Sequence, residues 1–238
     1  MTVTANWHPV ALSIGLEPGR SAGTKLFDLE FCIWRDSGGR VHVWEDRCPH
    51  RGMRLSFGFV RDDRIACLYH GWQYDGGGYC RFIPAHPTLD VPPTICVANF
   101  PCVERLGMVW VYADRTIDTP PELPVAERDV TAVRSLYIDC APAAVLRTLA
   151  GRARDIGPAG ITLQSFSSVM DNPIAGVQAF GAAKTALHIV LPGPLRTQRL
   201  GARRQTAEWA EELRRELEQD SLLTALSSSN CENEPWPS

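Results

Sequence analysis

Residues 45–80 read EDRCPHRGMRLSFGFVRDDRIACLYHGWQYDGGGYC. Two short knots stand out, Cys48-Pro49-His50 and Cys67-Leu68-Tyr69-His70, sixteen residues apart. Cysteine precedes histidine in both, and Gly52 and Gly71 follow closely. Thiolate sulfur and imidazole nitrogen in one site favour zinc or iron–sulfur chemistry. A structural zinc site usually pairs Cys with Cys on one knuckle and His with His or Cys on another. Here each loop offers one of each, an alternation that suits a two-iron cluster better. The glycines let the backbone turn tightly and approach a cluster closely, and nearby N–H groups then become donors to it.

Around the knots the pattern is that of strands. Residues 24–35, TKLFDLEFCIWR, are rich in aromatic and β-branched types, DSGGR follows as a turn, and VHVWE alternates again. RIACLY predicts a strand running into the second knot. GWQYDGGGYCRFI predicts two short strands about a glycine turn, and VANFPCVERLGMVWVYA a hairpin bending near Leu106-Gly107. Residues 5–115 therefore form one all-β domain with loops carrying the knots. The proline-rich stretch 116–127 is expected to be a linker. Beyond it, residues 128–222 predict a small α+β domain: a strand in TAVRSLYIDC, a short helix in APAAVLRTLAGRA, strands in GITLQSFSSVM and KTALHIVLPGP, and a helix over 203–219. In that helix Trp209, Leu213 and Leu217 share one face, and Glu211 and Arg215 form an i,i+4 pair. Residues 223–238 are expected to be a flexible tail.

Composition sets the outer limits. A chain of 238 residues with 45% hydrophobic and 21% charged residues can bury a sizeable core. A net charge of −3 and the lack of a long basic run argue against a nucleic-acid binder. There is no apolar run of membrane-spanning length and no signal-like N-terminus, so a soluble cytoplasmic protein is expected. In that compartment cysteines are thiols or metal ligands rather than disulfides. Cys32, Cys80, Cys96, Cys102, Cys140 and Cys231 have no partner at ligand spacing and read as ordinary thiols. His42 alternates with Val41 and Val43 and is expected to face solvent. His8 and His86 precede prolines in surface loops. Arg51 and Trp72 pack over the knots or touch a partner, and Arg196, Arg199, Arg203 and Arg204 read as a solvated face. DGGGYC is a glycine turn with no helix after it, so it is no phosphate loop.

The knots together, Cys48-Pro-His50-Arg-Gly52 and Cys67-x-x-His70-Gly71-Trp72, resemble the Rieske motif of ring-hydroxylating and demethylating oxygenases. NWHPVAL, VWEDRCPHRGMRLSFG, CLYHGWQYDGGGYCRFIPA and ERLGMVWVY are similar to the N-terminal half of their large subunit, so the resemblance covers about residues 6–113. It implies an all-β Rieske domain with a [2Fe–2S] cluster, Cys48 and Cys67 on the inner iron and His50 and His70 on the outer. Quinol-oxidising Rieske proteins carry an extra cysteine on each loop, forming a disulfide. Met53 and Tyr69 stand in those places here. The resemblance therefore implies a potential toward the low end of a range of about −150 to +300 mV.

The same oxygenases carry a second domain, a helix-grip α+β fold with one iron held by two histidines and a carboxylate. The matching stretch here, YIDCAPAAVLRTLAGRARDIGPAG, holds Asp139 and Asp155 but no histidine, and His188 is the one histidine beyond His86. Residues 128–222 thus read as a reduced relative without a mononuclear iron, and no catalytic residue is assigned. Three functions follow. The first is an electron-transfer or accessory component, taking electrons from a reductase or ferredoxin and working with an oxygenase subunit or a second copy of this chain. The second is a complete oxygenase with atypical iron ligands, acting on a small apolar or aromatic substrate. The third is a remnant using the cluster as a staple or sensor.

Overall fold

The computed structural model describes residues 6–117, 119–157, 161–167, 169, 171–194 and 200–229, with backbone alone at 221 and 223–229. Its strands, numbered along the chain, fall into four antiparallel sheets. The first holds β1 (Trp7–Leu12), β11 (Met108–Tyr112) and β10 (Cys102–Arg105), in that order. A second runs β2 (Ser21–Leu26), β3 (Leu29–Arg35), β4 (Val41–Glu45), β9 (Asn99–Phe100). The third, which carries the second knot, runs β5 (Phe59–Arg61), β6 (Arg64–Ala66), β7 (Gln73–Asp75), β8 (Cys80–Phe82). The last has the order β12 (Val130–Ile138), β16 (Lys184–Pro192), β15 (Ile174–Gly181), β14 (Leu163–Ser165), β13 (Arg154–Asp155). Helix α1 (Pro142–Leu149) and the long α2 (Leu200–Ser229) accompany this sheet. The architecture is the expected one, mostly β with a small α+β part.

Local chemistry accounts for the joints. Leu106 and Gly107 both take left-handed backbone, φ 53° and 65°, which is the two-residue turn that fits the twist of a β-hairpin. Pro142 opens α1, where its missing N–H costs nothing. Thr206, Ala210, Leu213 and Leu217 form the buried stripe of α2, and Trp209 packs beside it on Phe166. Ala210, Leu213 and Leu217, with Leu136, Ile138, Leu187 and Ile189, make one core. A second core belongs to both halves of the chain: Trp7, Leu12, Met108 and Trp110 from the first meet Ile161, Leu163, Ile174 and Val190 from the second. The stretch expected to be a linker is drawn into it. Leu123 and Val125 are buried, Trp7 Nε1 donates to the Pro121 carbonyl at 2.8 Å, and Arg105 Nη1 donates to the Val125 carbonyl at 3.0 Å.

The structure corrects several expectations. Residues 24–35 are not one strand, because Phe27, at φ 51°, turns the chain between β2 and β3. His8 lies in β1 rather than in a loop. His42 does not face solvent: it is buried, stacked on Trp34 at 4.2 Å, with Nε2 at 2.9 Å from Asp36 Oδ2. Alternation places His42 opposite Val41 and Val43, but here both faces of β4 are covered. Gly76 lies so close that a methyl group there would sit 2.8 Å from His42 Cε1. The Glu211 carboxylate pairs with Arg214 and with Arg134 of β12, while the Arg215 guanidinium donates to the Glu211 main-chain carbonyl at 3.3 Å. Helix α2 runs to Ser229, into the stretch expected to be a tail, since Leu222-Leu223-Thr224-Ala225-Leu226 continues it without Gly or Pro. The rest of that tail, with Cys231, lies outside the described residues, as do Arg196 and Arg199.

Candidate metal centre

The two knots adopt the same backbone form. In the first, Cys48 N–H donates to the Met53 carbonyl at 2.8 Å, and Gly52 N–H donates back to the Cys48 carbonyl at 2.8 Å. In the second, Cys67 N–H donates to the Trp72 carbonyl at 2.9 Å, and Gly71 N–H to the Cys67 carbonyl at 3.0 Å. Each closing glycine is left-handed, φ 74° at Gly52 and 70° at Gly71. A side chain at either would be strained, and at Gly71 it would also press on Pro84, 3.0 Å away. This explains why glycine follows both knots. The first loop leaves β4, and the second joins β6 to β7.

The loops face one another with their ligand types sorted by depth. Cys48 and Cys67 are buried, at 2% and 3% exposure, in one apolar cluster. Burial, with Cys48 alongside, raises the Cys67 pKa, so the bare thiol keeps its proton until a metal displaces it. The imidazoles lie outward: His50 is half-buried and His70 exposed, with ring centroids 4.6 Å apart. Desolvation first, then His70 and Arg51, hold His50 below its ordinary pKa and favour the neutral ring that a metal needs.

Three neighbours of the knots make contacts there that the sequence alone does not assign. Tyr74 is fully buried with its hydroxyl 3.0 Å from Cys48 Sγ. Burial and the Cys48 contact raise its pKa, so toward a cysteinate it can act only as donor. Its place four residues after His70 was the available signal. Tyr69 lies against His70, with centroids 3.9 Å apart. Cys80, expected to be an ordinary thiol, is buried in the same apolar cluster as Cys48 and Cys67. Trp72 stacks on His50 at 4.3 Å and 6°, so the second loop braces a ring of the first. Arg51 is exposed beside His50.

Among the described residues, no three His, Cys, Asp or Glu side chains gather at one metal-holding point. A Rieske-type cluster would draw two thiolates and two imidazoles, one pair for each iron, and not three ligands at one ion. Two adjacent thiols inside and two adjacent imidazoles outside fit that group. His188 fits no metal site. It is wholly buried in β16, with Nδ1 at 2.8 Å from Ser135 Oγ and Nε2 at 2.7 Å from Gln178 Oε1. Both ring nitrogens are spent, and burial lowers the pKa to about 4. Asp139 pairs with Lys184 and Asp155 accepts from Gly157 N–H, each at the surface.

Paired Cys/His loops of this form on an all-β frame define a two-iron redox domain. Residues 6–101 match the family described as Rieske [2Fe-2S] domain. The oxidoreductase NdmD of Pseudomonas putida is 39% identical over 124 residues, 52% of this chain and 20% of NdmD. The methylxanthine N1-demethylase NdmA of the same organism is 36% identical over 117 residues, 47% of this chain and 33% of NdmA. The chain thus matches a third or less of each relative's length. Apo dicamba monooxygenase has the same fold, with a TM-score of 0.75 at 18% identity over all of this chain and 93% of that one. Residues 6–101 are thus a Rieske [2Fe–2S] domain, shared with relatives that include an oxidoreductase and an N1-demethylase.

Proposed function

We propose that Cys48 and Cys67 hold the inner iron of the [2Fe–2S] cluster and His50 and His70 the outer. The chain then serves as an electron-transfer or accessory component of an oxygenase system, accepting electrons from a reductase or ferredoxin and passing them to a separate oxygenase. When bound, the cluster supplies one-electron transfer. The protein's own residues do the rest. Burial of the cysteines keeps water from the sulfur side, and Tyr74 donates a hydrogen bond to the Cys48 sulfur. Trp72 and Tyr69 hold the imidazole planes. His50 and His70 bring the redox edge to the surface, where the exposed Leu68 and Tyr69 offer apolar contact to a partner. We also propose 5–115 as the cluster domain, 116–127 as the connection and 128–222 as the reduced α+β domain.

The observation that supports the accessory role is His188. It is the one histidine of the second half, and both its nitrogens are hydrogen-bonded within the sheet. A mononuclear iron would need two free imidazoles there. The test is iron and acid-labile sulfide per chain after anaerobic purification, with oxygen uptake in a system holding only this protein and a reductase. Two irons, two sulfides and no substrate-dependent uptake are expected. The extent of the likeness to dicamba monooxygenase favours a second reading, a complete oxygenase with atypical ligands. A third tightly bound iron, or substrate-dependent uptake, would establish that reading instead.

A further inference from the structure

Strand β2 lies between the five-stranded sheet and the first cluster loop. Toward the sheet, Gln178 of β15 donates through Nε2 to Thr24 Oγ1 at 2.9 Å and to the Lys25 carbonyl at 2.5 Å. Thr24 Oγ1 passes its own proton to the Val10 carbonyl at 3.1 Å. With the amide nitrogen spent on β2, Gln178 Oε1 is an acceptor, so His188 Nε2 carries the proton and Nδ1 accepts from the Ser135 hydroxyl. Each hydrogen bond fixes the direction of the next. Gln178 and His188 are fully buried, so a break anywhere strands a desolvated polar group.

Toward the cluster loop, Ser21 Oγ donates to the Ser56 carbonyl at 3.1 Å. Gly23 leaves the space that Ser56 fills, since a methyl group there would sit 3.1 Å from Ser56 Oγ and 3.6 Å from Asp46 Oδ2. Asp46 accepts from Ser56 N–H at 2.7 Å and from Ser56 Oγ at 2.6 Å. It stands two residues before Cys48. A line of short polar contacts therefore runs from Ser135 through His188, Gln178 and Thr24 to β2, and from β2 through Ser56 and Asp46 to the start of the Cys48 loop.

We propose that Gln178 and Thr24 are positioning residues for the cluster loop. They hold β2 in the place that seats Ser56 and Asp46, and so set how firmly the loop keeps iron, although neither touches it. The proposal rests on the reading of Cys48 as a ligand. Its test uses the full, cluster-loaded chain with Thr24→Val and Gln178→Leu, singly and together. Val177→Ala serves as control, because it cuts the apolar core beside Gln178 without touching the line. Thermal midpoints rank the loss of stability. Iron release to a chelator is then timed well below every unfolding transition, with the electron paramagnetic resonance signal of the reduced cluster recorded alongside. Thr24→Val and Gln178→Leu are expected to release iron several-fold faster than Val177→Ala at equal or smaller loss of stability and to shift the signal, with the double variant no worse than the worse single one. If Gln178→Leu fails to fold, Thr24→Val, which removes one hydroxyl, carries the test. Release that follows stability alone, with the signal unmoved, overturns the proposal and leaves the ligand assignment standing. A wild-type chain without iron overturns both.

Discussion

The histidines of the two halves show opposite use of one side chain. His50 and His70 sit at the surface, supported by aromatic rings, and among the described residues no hydrogen bond is made to either imidazole. His188 is sealed inside a sheet with both nitrogens engaged. A ligand histidine needs an unspent nitrogen aimed at the metal, whereas a structural histidine needs two partners. Whether the nitrogens are already hydrogen-bonded separates them more sharply than where the residue falls in the sequence.

The largest expected effect falls on the ligand side. Cys67→Ala or His70→Ala should remove the visible cluster, taking iron from two per chain to none and destabilising the surrounding sheets, because metal binding is part of the folding free energy of such a site. Absorbance, iron analysis and thermal unfolding check this, and retained colour in either variant would break the comparison. His188→Leu should do the reverse. Iron stays at two per chain, while stability falls by about 3 kcal/mol, since Gln178 and Ser135 are left without a partner. Chemical denaturation with iron analysis reads both quantities.

The next effect is in pH. Burial lowers His188 to about 4 in the folded chain, against about 6.5 when unfolded. Between those values the unfolded chain binds the proton and the folded chain does not. Stability should therefore be level above about pH 6.5 and fall by about 1.4 kcal/mol per unit toward pH 4. His188→Gln should flatten that slope in denaturant titrations, and an unchanged slope would mean that other groups carry it. Smaller still is Tyr74→Phe. A hydrogen bond to sulfur favours the reduced, more negative cluster. Losing one of about 0.5–1.5 kcal/mol should lower the midpoint potential by about 20–60 mV, with the cluster retained. The smallest effect is none: dithiol reagents should leave the potential unchanged, because every described cysteine is a free thiol and Met53 and Tyr69 hold the places where loop cysteines would pair.

The two Cys/His loops were legible in the sequence because their grammar is local. Each knot closes within five residues, and the glycine that completes it is forced by backbone sign. Hairpins built on turn residues, such as β10 to β11, were legible for the same reason. What depended on distant neighbours was not. His42 alternated correctly, but alternation cannot say that a second layer covers the other face. β15, with the sequence IAGVQAFG, carries small residues because Pro9 and Met108 press against Gly176, and small residues give little strand signal. Tyr74 was read as a strand residue, since only the fold brings its hydroxyl to Cys48. The line through Gln178 joins residues some 150 positions apart in the chain, beyond the reach of any pattern.

The core shared between the halves bears on modularity. Trp7, Leu12, Met108 and Trp110 have their apolar neighbours partly in the second half. A cut near residue 115 would uncover that surface and leave Trp7 Nε1 without the Pro121 carbonyl. The cluster domain is therefore not a cassette that can be grafted alone onto another scaffold. A transplant would have to bring along, or rebuild, the face of the sheet formed by β14, β15 and β16, and a chimera lacking it would be expected to aggregate even with a perfect pair of Cys/His loops.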